Sequence, residues 1–278
     1  MSRSYYYLVA GLPDIILDES KNVPPYDEAM ADLAGLMHPE DAEMLRFLRF
    51  HYDNANLARL LTESEGEFDT RGNFGPEELA DEARSPERLP AYAVEFLEMR
   101  KEGREAVAGY TVHDQLTWLF MDAAAAHPNA FIRDWFGFEC DLRNVLAALA
   151  LRHGAETAGG DYRSALGSAI IGHRDVAEQV MRSTAPDFGI GSMASWAERV
   201  LSLSLDDLTA RERSLDDLRW DMLDQLTTFT YFQVETVLAF CVKLALVHRW
   251  MSLDAEEGRK RFETLIEEMR TGVEMPAA

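Results

Sequence analysis

Apolar residues recur along the chain at the three- and four-residue spacing of amphipathic helices, and alternating β-branched segments are nearly absent. Pro39 followed by two acidic residues suits a helix start, with Met44, Leu45 and Leu48 as the apolar stripe. The longest predicted helices span residues 85–102, 112–126, 138–152, 192–203, 215–226, 229–251 and 254–271. The pattern therefore predicts an all-α fold.

Three further segments resemble capping boxes, in which a side chain at a helix start accepts a backbone N–H bond. They run from Ser204 to Asp207, from Ser214 to Asp217 and from Asp254 to Glu257, and each predicts a helix that begins nearby. The apolar run from Tyr5 to Val9 is too short for periodicity to distinguish a strand from the first turn of a buried helix.

One short pattern, F-x-x-D-x-x-N-[L/V]-x-x-x-L, occurs twice. The copies begin at Phe50 and Phe138. They lie roughly 90 residues apart, which is too far for a solenoid repeat and about the size of a small domain. A weaker third copy starts at Phe232, with Glu235 in the Asp position and Leu238 in the Asn position. Such a pattern indicates a helical unit used two or three times.

Residues three and four positions apart share one face of a helix, so each copy places an Asp and an Asn beside an apolar side chain. Because Asp is a favoured N-cap residue, we interpret Asp53 and Asp141 as helix caps. Asn is a poor mid-helix residue and usually has a specific partner. Two interpretations of Asn56 and Asn144 therefore stay open: each side chain bonds a neighbouring backbone group, or each has a functional role.

Glu235 and Lys243 are eight residues apart in a mostly apolar segment, so they lie on nearly the same helix face. Two interpretations are open. In the first, both residues belong to one exposed stripe of an amphipathic helix. In the second, both line a polar interior groove, and their buried charges then need partners.

Glycine-rich stretches at residues 63–76, 154–161 and 186–192 are typical of loops. The first follows the first copy of the repeat and the second follows the second copy. This regularity favours a helical unit that ends in a turn.

The 49 acidic and 27 basic residues give the chain a formal net charge of −22, and its hydrophobic content of 47% is ample for a core. A surface this acidic repels nucleic acid and anionic lipid, so we expect neither as a partner. It also suits a basic protein partner, although an acidic surface by itself serves solubility.

Cys140 and Cys241 stand in apolar helical contexts and predict buried thiols in a reducing compartment, not a disulfide or a metal site. No signal peptide is predicted at the N-terminus. The most apolar stretch, residues 228–251, is interrupted by polar and charged residues, so we expect no direct membrane insertion.

The sequence contains no P-loop, no G-x-G-x-x-G turn, no H-E-x-x-H pair and no G-x-S-x-G elbow. The acidic stretch from Asp216 to Asp221 is loosely similar to the magnesium motif of helical isoprenoid synthases. A second such motif is needed, and Asp206-Asp207 lacks the acids that would follow it. Helix capping explains the stretch. We therefore expect a non-catalytic protein without cofactor or metal.

The segments Tyr5 to Asp14, Tyr52 to Leu57 and Asp141 to Val145 resemble, in this order, a small bacterial family related to the C subunit of V/A-type ATPases, whose eukaryotic counterpart is the d subunit. The segment from Phe232 through Lys243 to Trp250 is similar to that family's third unit, although Leu238 replaces the Asn. The resemblance spans nearly the whole chain.

This resemblance implies three pseudo-symmetric helical-bundle units around a central hollow, which we place at residues 1–85, 86–190 and 191–278. It implies a rotor subunit that joins the central stalk to the proteolipid ring, at the inner face of the cell membrane. Asp53, Asn56, Asp141, Asn144 and Glu235 would then lie near the hollow or the joints between units.

Three alternatives stay open beside the rotor socket. The first is an accessory member of the ATPase complex. The second is a soluble helical scaffold or regulator unrelated to that complex. The third is a helical enzyme with a site at residues 206–221.

Overall fold

The described part of the chain consists of helices joined by turns and loops. The computed structural model describes residues 3–17, 23–203 and 207–272, with side chains through Leu253. These residues contain no strand, which confirms the all-α prediction. The helices are α1 (Tyr6–Ala10), α2 (Tyr26–Leu36), α3 (Pro39–Thr62), α4 (Pro76–Arg84), α5 (Ala91–Lys101), α6 (Val112–Ala125), α7 (Ala130–Ala158), α8 (Tyr162–Leu166), α9 (Asp175–Arg182), α10 (Ala197–Leu201), α11 (Leu208–Thr227) and α12 (Val234–Gly272).

The start of α3 follows from its first residues. The His38 ring accepts the Glu40 N–H, Pro39 occupies the first turn, and the acids Glu40 and Asp41 face the positive end of the helix dipole. The helix ends at Glu63, whose φ of 51° is left-handed. The predicted start at Pro39 is confirmed.

Several predicted helix boundaries differ from the observed ones. α7 begins at Ala130, capped by Asn129, and not at residue 138. Residues 229–251 and 254–271 are not two helices, because the single helix α12 runs through them. Its capping signal at Asp254 to Glu257 therefore starts no helix.

Of the other two capping signals, one is correct in part and one is wrong. Asp207 caps α11 by accepting the Ala210 N–H, whereas Ser204 lies outside the described residues. Ser214 lies inside α11, where its hydroxyl donates to the Ala210 carbonyl. The segment from Tyr5 to Val9 is neither a strand nor a buried helix, since α1 has no buried residue.

Helix α6 lies between α3 and α7, and aromatic rings fill the contact. Phe120 of α6 is fully buried and stacks on Phe47 with ring centroids 5.3 Å apart. It also meets Phe136 of α7 edge-on at 4.6 Å. Since aromatic pairs at these spacings add to the energy of burial, this cluster stabilises the contact of α6 with α3 and α7.

Helix α12 closes the fold by packing on α2, α3 and α11. Its segment Val234–Leu253 is long and apolar enough to cross a membrane by length and composition, and half of it is buried in the fold. A core helix passes the same test, and Val237, Leu238 and Leu244 are fully buried here. The buried apolar residues of the three predicted units form one continuous core. The boundaries after residues 85 and 190 therefore stay a prediction.

Replacing the central ring of this core by alanine should destabilise the whole fold. We expect Phe120→Ala to lower the free energy of unfolding by about 3–5 kcal/mol, because it removes an aromatic side chain and leaves a cavity. Leu60→Ala, at an exposed site on α3, should change it by less than about 0.5 kcal/mol. Urea unfolding followed by circular dichroism measures both. A loss below about 1 kcal/mol for Phe120→Ala would contradict the packing described.

Candidate functional site

The two clear copies of the repeat lie in the middle of long helices. Asp53 is buried within α3 and Asp141 within α7, far from either helix start. The interpretation of these residues as helix caps is therefore wrong. Their carboxylates instead face loops that return along the chain and pack on the helix.

Each asparagine of the repeat bonds the backbone of such a loop in both directions. The Asn56 amide donates to the Asp69 carbonyl at 2.8 Å and accepts the Asp69 N–H at 2.9 Å. Asn144 makes the same pair of bonds to Ile171, at 2.8 Å and 2.9 Å. A side-chain amide that satisfies both polar groups of one residue fixes the position of that residue. Of the two interpretations of these asparagines, the structure favours the bond to the backbone.

The aspartate of each copy holds the same loop a few residues later. Asp53 accepts the N–H groups of Asn73 and Phe74, at 2.8 Å and 3.3 Å, and the Asn73 amide at 2.7 Å. Asp141 pairs with the Arg174 guanidinium at 2.9 Å and 3.0 Å. The anchored loops lead directly into α4 and α9. The repeat is thus a helix that pins its own following loop.

Two glycines make room for these anchors. A Cβ at Gly72 would overlap the Asp53 carboxylate, and a Cβ at Gly137 would stand 2.9 Å from the Arg174 guanidinium. Gly72 was a loop signal in the sequence, and the structure adds that its missing side chain allows the close approach.

The third copy is not built this way. Phe232 precedes α12 and is exposed, whereas Phe50 and Phe138 are buried. Glu235 accepts the Asn129 amide at 2.9 Å, and its other carboxylate oxygen is buried without a partner among the described residues. Lys243 pairs with Asp224 of α11 at 2.5 Å and lies over the Trp220 ring. Neither residue forms an exposed stripe or lines the central cavity; each holds a neighbouring helix.

A cavity of about 290 Å³ lies where the three predicted segments meet. Its walls come from α2, α3 and the first anchored loop, from α6 and α7, and from α11 and α12. Glu139 and Arg219 line it, whereas the repeat residues Asp53, Asn56, Asp141 and Asn144 lie outside it. The repeat acts on the cavity indirectly, because the loop pinned by Asp53 and Asn56 carries Arg71 into the wall.

Arginines dominate the charged part of the cavity wall, in contrast to the acidic protein as a whole. They are Arg49, Arg71, Arg219 and Arg249, and Glu139 is the carboxylate that lines the cavity with them. Arg71 is held by Asp69 at 2.7 Å. Arg219 joins Glu139 to Asp216, each at 2.8 Å, and so ties α7 to α11.

Asp216 is the hub of this network and is fully buried. It accepts bonds from Arg219 and from the indole N–H of Trp250 at 2.8 Å, and Arg249 lies 3.3 Å away. Since Asp216 lies mid-helix, the capping explanation for the acidic stretch is wrong at this residue. A buried carboxylate is tolerated here because two arginines and an indole satisfy it. Asp206 lies outside the described residues.

His51 and two tyrosines complete the polar wall. Enclosure by protein lowers the pKa of His51 to about 4, so its ring is neutral at pH 7. Burial raises the pKa of Tyr26 and Tyr52 above the ordinary value. Cys241 also lines the cavity, and burial raises its pKa to about 12, so it is an unreactive thiol. Both cysteines are buried and free, as predicted.

An exposed aromatic patch lies elsewhere on the surface. Its members are Tyr6 and Tyr7 of α1 and Phe229, Tyr231 and Phe232 before α12. The Tyr5 N–H donates to the Phe232 carbonyl at 2.6 Å, and the Tyr6 and Phe232 rings lie 4.7 Å apart. Two segments distant in sequence therefore form one surface.

Sequence reasoning selected the residues of the repeat and missed the arginines that line the cavity. Arg49 lies four residues before Asp53, and Arg219 lies within the acidic stretch from Asp216 to Asp221. Their spacing was visible, but an arginine on a helix is usually solvent-exposed. Only the crossing of α3, α7, α11 and α12 shows that these side chains converge.

The chain matches the model of a protein family over nearly its whole length. That family is described as a protein of unknown function, DUF2764, and its model matches residues 1–273. No curated protein and no solved structure matches the chain.

Removing the second asparagine anchor should cost more than removing the first. We expect Asn144→Ala to lower the free energy of unfolding by about 3 kcal/mol, because both polar groups of the fully buried Ile171 lose their partner. Asn56→Ala should cost about 1 kcal/mol, since water reaches the half-buried backbone of Asp69. Urea unfolding measures the losses, and faster exchange of the Ile171 amide locates the first. Equal losses would contradict this difference in burial.

The ionisation of Asp53 should make stability depend on pH. Burial raises the pKa of Asp53 to about 6 against its three hydrogen bonds, so the folded state holds the proton more tightly than the unfolded state. The resulting stability is present below pH 4 and is lost as pH rises through 6. We expect the free energy of unfolding of the wild type minus that of Asp53→Asn to fall by roughly 1 kcal/mol between pH 5 and 7.5. A difference that rises with pH would show that the hydrogen bonds outweigh burial.

Proposed function

The chain belongs to the DUF2764 family, and from this premise we propose that it is a non-catalytic subunit of a V/A-type ATPase. In this proposal it links the central stalk to the membrane proteolipid ring during rotary ion transport. It is peripheral to the inner face of the cell membrane and is held there by the complex.

One observation carries the proposal. Residues from 1–85, 86–190 and 191–278 meet around one cavity, and the family that the chain resembles has its hollow where three units meet. At about 290 Å³ the cavity marks this meeting point and is too small to hold the stalk itself. Two of the segments that resemble the ATPase family contribute to the cavity wall. They are the segments that contain Tyr52 and Arg249, and both residues line the cavity. The third copy of the repeat lacks the anchors of the first two. The three-fold pseudo-symmetry of the units is therefore itself a proposal.

A protein that transmits torque has to be stiff, and several contacts favour stiffness. The loop between α3 and α4 and the loop between α8 and α9 are pinned at two points each. Arg219 and Arg249 tie α7, α11 and α12 together through buried carboxylates. Networks that satisfy every buried charge rigidify the elements that they join.

The aromatic patch is the surface that we assign to the proteolipid ring. Two of the segments on which the resemblance rests, residues 5–14 and 232–250, meet there through the Tyr5–Phe232 hydrogen bond. Tyrosine and other aromatic side chains are enriched where proteins meet the membrane interface. The segments 4–13 and 225–234, which carry the patch, contain no charged residue, and this suits an apolar partner.

Affinity purification of the chromosomally tagged protein from membranes in mild detergent tests the proposal. We expect the catalytic, stalk and ring subunits of a V-type ATPase in near-stoichiometric amounts. Tagged protein alone in the cytosolic fraction would overturn the proposal and favour the scaffold or regulator unrelated to the ATPase.

A matched pair of variants tests the assigned surface. Tyr7→Ser combined with Phe229→Ser should reduce recovery of the ring about ten-fold or more, because two exposed anchors are lost. Met181→Ser, at an exposed site on α9, should leave recovery unchanged. Equal recovery with both variants would remove the patch from the interface while leaving the proposed role in the ATPase intact.

A further inference from the structure

The central cavity contains an arginine without an ion-pair partner in the described part of the chain. In the described part of the chain, Arg49 forms no ion pair with a carboxylate. Its Nε donates to the Arg71 carbonyl at 2.8 Å and one Nη donates to the Gly72 carbonyl. The Asp53 carboxylate interacts with Arg49 only over a longer distance, since its hydrogen bonds come from Asn73 and Phe74. The Arg49 guanidinium also lies 5.8 Å from the centroid of the Tyr26 ring, and its second Nη forms no hydrogen bond in the described residues.

Arg71 adds further donor capacity beside Arg49. Its Nε and one Nη bond Asp69, at 2.9 Å and 2.7 Å, which leaves the other Nη without a hydrogen bond in the described residues. Its guanidinium lies 4.3 Å from the centroid of the Tyr52 ring. The side chain is therefore fixed in the wall with one donor group unused.

Two tyrosines whose hydroxyls have no partner in the described residues line the same cavity. Tyr26 is only 8% exposed and lines the cavity, yet its hydroxyl has no hydrogen-bond partner among the described residues. Tyr52 also lines the cavity, and its hydroxyl likewise has no partner in that part of the chain. Arg49 lies 5.8 Å from the Tyr26 ring centroid and bonds the Arg71 carbonyl. Arg71 lies 4.3 Å from the Tyr52 ring centroid, so the four residues are neighbours. Neither hydroxyl oxygen is fully buried, so both are accessible to a molecule that enters the cavity.

The rest of the wall is apolar. Leu48, Trp135, Phe136, Val242 and Leu246 line the cavity beside the arginines and tyrosines. At about 290 Å³ the cavity is at the small end of the range for ligand pockets. An apolar pocket with a few convergent polar groups is the usual form of a small-molecule site.

We propose that this cavity binds a small amphipathic anion, with its carboxylate or phosphate head group on Arg49, Arg71 and the hydroxyls of Tyr26 and Tyr52. Its apolar tail lies along Leu48 and Trp135. The other lining arginines, Arg219 and Arg249, are already paired with Glu139, Asp216 and Glu212 and take no part. The site goes beyond the proposed rotor function and does not depend on it.

Isothermal titration calorimetry of the purified full chain tests the site with matched probes. Hexanoate and hexyl phosphate carry both the anionic head and the tail. Acetate and inorganic phosphate lack the tail, and hexylamine reverses the charge. We expect saturable one-to-one binding of hexanoate, hexyl phosphate or both, at least ten-fold tighter than binding of the tail-less anions, and none of hexylamine. The preferred probe identifies the head group.

A pair of tyrosine variants tests the position of the ligand. Tyr26→Phe removes only an unpartnered hydroxyl, so it should weaken binding of the amphipathic anion about five-fold without lowering the melting temperature. Tyr92→Phe removes a hydroxyl that donates to Asn54 at 3.0 Å outside the cavity, so it should lower the melting temperature and leave the affinity unchanged. Arg49→Gln removes the charge while retaining a donor for the carbonyls, and binding should fall at least ten-fold.

The proposal is overturned if neither hexanoate nor hexyl phosphate binds, if hexylamine binds equally, or if Tyr26→Phe and Tyr92→Phe bind the anion alike. Because the measurement uses the chain without partners, absence of ATPase subunits from the tagged protein would leave this result unaffected.

Discussion

The two-way bond between an asparagine amide and the backbone of a returning loop is the interaction on which the structure depends. Through it, a long helix fixes the chain that follows it, first at Asn56 and again at Asn144. Each anchored loop then enters a helix at a set position, α4 in one case and α9 in the other. Without these bonds, buried backbone groups would have no partner and the loops would have no fixed course.

The same hydrogen bonds also set the positions of the charged side chains that line the cavity. The loop pinned by Asp53 and Asn56 carries Arg71, and its carbonyls at residues 71 and 72 orient Arg49. On the other side of the cavity, Arg219 holds Glu139 of α7 and Asp216 of α11. The cavity is thus bounded by side chains that the fold has already fixed. Such preorganisation reduces the entropy that a ligand or partner loses on binding.

The all-α fold followed from sequence because apolar spacing is a local property, and the start at Pro39 followed from its own proline and acids. The repeat was also visible, but its meaning was not. Asp53 and Asp141 have the residue type of a cap, and only the returning loops show what they bind. The convergence of Arg49, Tyr26 and Arg219 depends on how distant helices cross, which no local pattern encodes.

The contrast between surface and interior gives the cavity its selectivity. A chain of net charge −22 repels free anions over most of its surface, so weak and unspecific anion binding is suppressed. Inside the cavity, the guanidinium groups lie in a less polar medium, where one uncompensated charge acts more strongly than in water. Asp69, Glu139, Asp216 and Glu212 form ion pairs with the other arginines, whereas Arg49 forms none among the described residues. An anion that reaches Arg49 also finds the unpartnered hydroxyls of Tyr26 and Tyr52, so geometry and charge select the same ligand.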